Sequence, residues 1–100
     1  MKLTMERLRL AGVPYHHLHA LEGLIGESPE VSRLARRVVD KYRLCRSLEE
    51  TIDDIRDSGM VQGTEWQRKM LAHYRPMRLR ARRAHKAAHK RLIDRLTAAA

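Results

Sequence analysis

Between Arg68 and Arg91 the chain carries ten Lys or Arg residues and no Asp or Glu. A segment with that charge cannot be enclosed on all sides, because unpaired buried charge is prohibitively costly. It must keep one face in water or against an anion. Yet apolar residues thread the same segment at helical spacing: Trp66, Met70, Tyr74, Met77, Ala81, Ala84, Ala88, Leu92 and Leu96. They fall on one stripe of a 3.6-residue helix. Arg68, Arg75, Arg82, Lys86 and Lys90 fall roughly opposite. The pattern predicts one long amphipathic helix over 64–98, which needs an apolar partner of comparable length.

The start of that helix is marked by Thr64-Glu65-Trp66-Gln67, which reads as a capping box with Thr64 as N-cap. Pro76 lies inside the pattern. It removes one backbone hydrogen bond and crowds the Ala72 carbonyl, a cost of about 3 kcal/mol in a straight helix. The stripe keeps its phase through Pro76, and no Ser, Thr, Asp or Asn just before it could cap a new helix. A kink is therefore expected rather than a stop.

The partner is found upstream. Ser28-Pro29-Glu30 supplies an N-cap, a proline at the first helical position and an acid in the first turn. Val31, Leu34, Val38, Tyr42, Cys45, Leu48, Ile52 and Ile55 then share one face, for a helix over 29–57 about 40 Å long. Ser58-Gly59 reads as its end. The short connection through Gly63 makes the two long helices an antiparallel αα-hairpin. Before them, two short helices are expected at 4–11, ended by Gly12, and 14–25, ended by Gly26. Tyr15, Leu18, Leu21 and Glu22 or Ile25 mark the spacing of the second. The expected fold is one all-α domain spanning 1–100, with the short helices capping the open end of the hairpin or lying along its groove.

The charge is unevenly placed. Residues 64–100 hold eleven basic and two acidic residues, and residues 1–63 hold ten of each, so the +9 net charge belongs to the last helix. The acids Glu49, Glu50, Asp53, Asp54 and Asp57 gather near the hairpin turn, at a helix C-terminal half that disfavours them. Pairing with Arg68, Lys69 and Arg75 would account for them; a basic patch on a partner is the other account. At the open end Arg33, Arg36, Arg37, Lys41 and Arg43 join the bases of the last helix.

Chemistry-bearing motifs are sparse. Cys45, the one cysteine, sits on an apolar helical position and reads as a buried reduced thiol. His85 and His89 have metal-ligand spacing, but basic neighbours make a poor cation site. His16, His17 and His19, with Glu22, read as surface or interface polars. No nucleophile elbow or Gly-rich phosphate loop is present. No catalytic residue, metal, cofactor or small-molecule substrate is expected. No apolar run approaches a membrane span and no apolar signal region follows the N-terminus, which makes a cytoplasmic location the expectation.

Leu10-Ala11-Gly12-Val13, followed by Leu18-His19 and Leu21-Glu22, resembles the helix-turn-helix of MerR-type regulators over about fifteen residues. That resemblance implies a recognition helix within 14–25. In the family His16, His17 and His19 would be Arg or Thr among the DNA contacts, and a wing would follow where this chain has Ser28-Pro29. At the level of overall profile, the chain also resembles the small phage-encoded anti-CRISPR proteins: about a hundred residues, one helical domain, no catalytic motif and segregated charge.

Two functions are then in view. The anti-CRISPR likeness implies a non-catalytic inhibitor that docks on a CRISPR effector complex or another nucleic-acid-handling machine and sterically blocks its target DNA. Its contacts would be the basic face and the acidic patch of Glu49, Glu50, Asp53, Asp54 and Asp57. The alternative is direct nucleic-acid binding, with Arg75, Arg78, Arg82, Arg83, Lys86 and Lys90 on phosphates and the N-terminal helix pair adding base readout. A charge run is ordinarily a solvated face, but this one lacks the interleaved acids such faces use for i,i+4 pairing.

Overall fold

A computed structural model describes residues 3–99 of the chain. It contains α1 (Met5–Leu10), α2 (Tyr15–Leu24), α3 (Pro29–Gln62) and α4 (Thr64–Ala99), and no strand among the described residues. The long helices α3 and α4 form the expected antiparallel hairpin, giving a rod of 54 × 20 × 20 Å. The short helices pack on its open end.

Each start and stop has a local cause. The Thr4 hydroxyl accepts from the Arg7 amide at 3.2 Å and caps α1. Gly12 ends it at φ 96°, with the Val13 amide bonded to the Leu8 carbonyl at 3.1 Å and the Gly12 amide to Arg9 at 3.0 Å. This is the doubly bonded glycine stop of the Schellman type. Its usual apolar contact is supplied by Leu8 and Val13, both buried in one cluster. Pro14 occupies the N-cap of α2, so the helix begins at Tyr15, one residue later than expected. The Ser28 hydroxyl caps α3 by accepting from the Val31 amide at 3.3 Å, with Pro29 following as the sequence indicates. The Ser32 hydroxyl donates to the Ile25 carbonyl and ties α3 to the end of α2.

The hairpin turn differs from expectation. Helix α3 does not stop at Ser58-Gly59 but continues to Gln62, so the connection is Gly63 alone, at φ 95° and ψ 158°. An L side chain rarely adopts that backbone. Gly59 serves close approach instead. A Cβ built there would lie 2.7 Å from the Gln67 Cδ, in the space the Gln67 carboxamide occupies. That carboxamide donates to the Arg56 carbonyl at 3.0 Å across the hairpin. Gln67 is therefore committed to α3 and does not close a capping box; Thr64 is already helical, and the Gln67 amide bonds to the Gly63 carbonyl at 3.1 Å.

Helix α4 runs without interruption through Pro76. Ala72 and Pro76 both lie on the exposed side, where water can take the carbonyl that proline leaves unbonded.

The core is a row of three clusters along the hairpin. At the open end, Leu8, Ala11 and Val13, with Leu18 and Leu21 of α2, close over Val31, Ala35, Val38 and Val39 of α3 and Ala88, Leu92 and Leu96 of α4. The middle holds only Cys45, Leu48 and Ala81, flanked by Tyr74 and Met77. At the turn, Ile52 and Ile55 meet Leu71, with Trp66 and Met70 beside them. Leu71 is thus a core residue although it lies off the main stripe. Ile93, also off it, packs against the open-end cluster, while Leu79 stays 49% exposed. Tyr15, expected among the marker positions of α2, is 73% exposed. No helix of the described residues is long and apolar enough to cross a membrane.

Candidate nucleic-acid and partner interface

The six basic residues singled out on α4 lie along one continuous helix. From Arg75 to Lys90 they span about 22 Å at 1.5 Å per residue. Arg75, Arg82, Arg83, Lys86 and Lys90 are exposed, and Arg78 is half-buried. The Arg82 guanidinium reaches across the hairpin to Glu49 at 3.2 Å. The other five form no ion pair among the described residues. An exposed row of cations with no internal counter-charge attracts polyanions and repels itself.

The acidic patch is not used as expected. Arg68, Lys69 and Arg75 do not pair with it. Glu50 meets Arg46 at 3.5 Å and Asp53 meets Arg56 at 3.9 Å, both within α3. Lys69 is taken by Glu65 of its own helix at 3.5 Å. Glu49 alone crosses to α4, and Asp54 and Asp57 have no ion pair among the described residues. The reason is spacing: helical i,i+3 and i,i+4 partners are closer than the neighbouring helix for side chains pointing outward. Exposed pairs of this kind contribute about 0–1 kcal/mol each, so stability does not explain why five acids gather here. Toward the open end Arg95 meets Glu30 at 3.3 Å and joins α4 to the start of α3.

The histidines divide by position. The His85 Nε2 lies 2.8 Å from the Ala11 carbonyl, a contact in which the imidazole N–H donates. One turn on, His89 has its Nε2 buried without a partner. Burial, then the neighbouring His85, lower the His89 pKa below its ordinary 6.5, while the Gly12 backbone acts in the opposite sense. These two side chains join α4 to the α1–α2 turn, a role the i,i+4 spacing alone did not disclose. His16 and His17 lie with ring centres 4.1 Å apart and planes tilted by 44°, and Tyr15 meets His19 edge-on at 5.6 Å. No group of three or more His, Cys, Asp or Glu side chains among the described residues is arranged to hold a metal ion. Cys45 is a free, buried cysteine. Burial first, and then the Glu49 charge, push its thiol above the ordinary range, which keeps it protonated and weakly nucleophilic at neutral pH.

No family model, curated protein or solved structure matches this chain.

Proposed function

We propose that the chain is a non-catalytic binding module that acts on nucleic-acid systems through the basic face of α4. The observation that carries this reading is the row Arg75, Arg78, Arg83, Lys86 and Lys90 on one continuous helix, none of which forms an ion pair among the described residues. Phosphates spaced along a nucleic-acid backbone are the commonest partner for such a row. They would supply affinity with little sequence choice. Few exposed aromatics flank the row, so the favoured target is duplex backbone rather than stacked single strands.

A second reading is kept for the acids. Asp54 and Asp57 form no ion pair among the described residues and Glu50 and Asp53 only exposed ones within α3, so the patch is available to a basic surface such as a DNA-binding groove. In that reading the protein docks on a nucleoprotein effector complex and blocks its target DNA, as the anti-CRISPR likeness implies.

Fluorescence anisotropy with random duplex DNA, single-stranded DNA and RNA separates the two. Direct binding loses log K with log salt at about 0.9 per duplex phosphate contacted. Tight binding at about 50 mM salt that collapses at about 200 mM, and disappears in Arg82→Gln/Lys86→Gln/Lys90→Gln, supports the first reading. Absence of binding to all three removes it. Asp53→Asn/Asp54→Asn/Asp57→Asn should leave direct binding intact and weaken only a docked complex.

A further inference from the structure

The hairpin carries a groove on the side away from α1 and α2. Leu44 lies five residues after Val39, and Arg80 five before His85. At about 100° per residue each is about 140° around its helix from a side chain that meets the N-terminal helices. Leu44 and Leu48 of α3 and Met77, Ala81 and Ala84 of α4 line this groove, with Arg80 at its edge. The middle of the hairpin buries Leu48 and two small side chains, Cys45 and Ala81, and Leu44 is left 47% exposed.

The rim changes character toward the open end. On α3 the row Arg33, Arg37, Lys41, Leu44, Leu48 advances by four, four, three and four residues, the spacing of a helix seam. Arg33, Arg37 and Lys41 line the adjoining hollow, which holds one acid, Asp40. On α4 the corresponding row is Met77, Arg80, Ala84, Ala87, Arg91. Arg37, Lys41, Arg80 and Arg91 form no ion pair among the described residues.

We propose that this groove docks an acidic amphipathic helix of a partner protein. A trough between two antiparallel helices, floored by Leu and Ala, has the shape a third helix fills in a bundle. The unpaired bases on both walls select acids on that helix. A second copy of this chain is disfavoured, because its groove would bring the same bases. Nucleic acid is disfavoured, because phosphates would lie over Leu44, Met77 and Ala84. The proposal does not rest on the basic face of α4.

The test uses the full chain and a fluorescein-labelled peptide of about three heptads, with Leu and Ala on one seam and Glu elsewhere. A scrambled peptide of the same composition is the control. The expected result is saturable binding with a gain of peptide helicity by circular dichroism. Leu44→Asp, on the half-exposed floor, should weaken it at least about tenfold. Arg37→Glu/Lys41→Glu and, on the other wall, Arg80→Glu should do the same, while Arg82→Gln/Lys86→Gln/Lys90→Gln should not. A cooperative thermal unfolding transition and a helical circular dichroism spectrum confirm that each variant folds. Equal binding of the scrambled peptide overturns the proposal, as does indifference to Leu44→Asp. So does a dimer in ultracentrifugation that Leu44→Asp dissolves, or duplex DNA that binds through Arg37 and Lys41.

Discussion

Two glycines four residues apart at the hairpin turn do different work. At Gly63 the backbone itself needs glycine, since φ 95° with ψ 158° places any Cβ in strain. Gly63→Ala should cost about 1–3 kcal/mol, read as a lower unfolding temperature or denaturant midpoint. At Gly59 the backbone is helical and the demand comes from Gln67. Alanine there gains about 0.5–1 kcal/mol of helix propensity. It also displaces the Gln67 carboxamide from the Arg56 carbonyl, losing about 0.5–1.5 kcal/mol. Gly59→Ala alone should therefore change stability little, while in a Gln67→Ala background it should stabilise. A double-mutant cycle with no coupling between the two positions would show that the carboxamide is not what glycine accommodates.

At the scale of elements, much of this fold was legible because its caps are written in local chemistry. Ser28-Pro29 opens α3, Gly12 ends α1, and the apolar spacing of 31–55 names most of the face α3 buries. The misreadings come from signals that local sequence shares with other uses. Ser58-Gly59 looks like a helix end, yet the glycine is spent on a neighbour eight residues on. Gln67 looks like a capping-box partner, yet its amide crosses to α3. Ala35, Val39 and Leu71 are core residues because a second layer, or the opposite helix, reaches around the main stripe, and periodicity along one helix cannot report that. Of the candidate site, the basic row stands where the charge pattern put it, whereas the acids bond within α3. The His85–His89 pair became intelligible only once the Ala11–Gly12 turn was seen against it. That contact gives a pH expectation. With its pKa lowered in the folded state, His89 takes up a proton more readily when unfolded, so stability rises with pH. The loss should begin as pH falls through about 6.5 and continue down to the lower folded value. His89→Leu should flatten this slope in unfolding experiments between about pH 8 and about pH 5. An unchanged slope would place the pH dependence elsewhere.

At the scale of the whole molecule, the governing fact is that the +9 charge sits on a narrow rod whose mid-length core is built largely of small side chains. Toward the open end the α4 bases Lys86, Lys90 and Arg91 come beside Arg33, Arg37 and Lys41 of α3, and the crossing pairs Arg82–Glu49 and Arg95–Glu30 offset only part of the charge. Repulsion across the open end should therefore outweigh the exposed ion pairs in the free protein. Salt screens both, but the Debye length falls from about 30 Å at 0.01 M to about 10 Å at 0.1 M. That range removes the longer repulsions before it weakens contacts near 3 Å. The unfolding temperature of the free protein should rise over this interval. A bound polyanion should raise it further at low salt, since a ligand of the folded state stabilises by mass action, and the two effects should not add at higher salt. If salt instead lowers the unfolding temperature of the free protein, the pairs at Glu49 and Glu30 hold the hairpin together more strongly than their exposure implies. In that case the basic face is balanced within the molecule and has less need of an anion outside it.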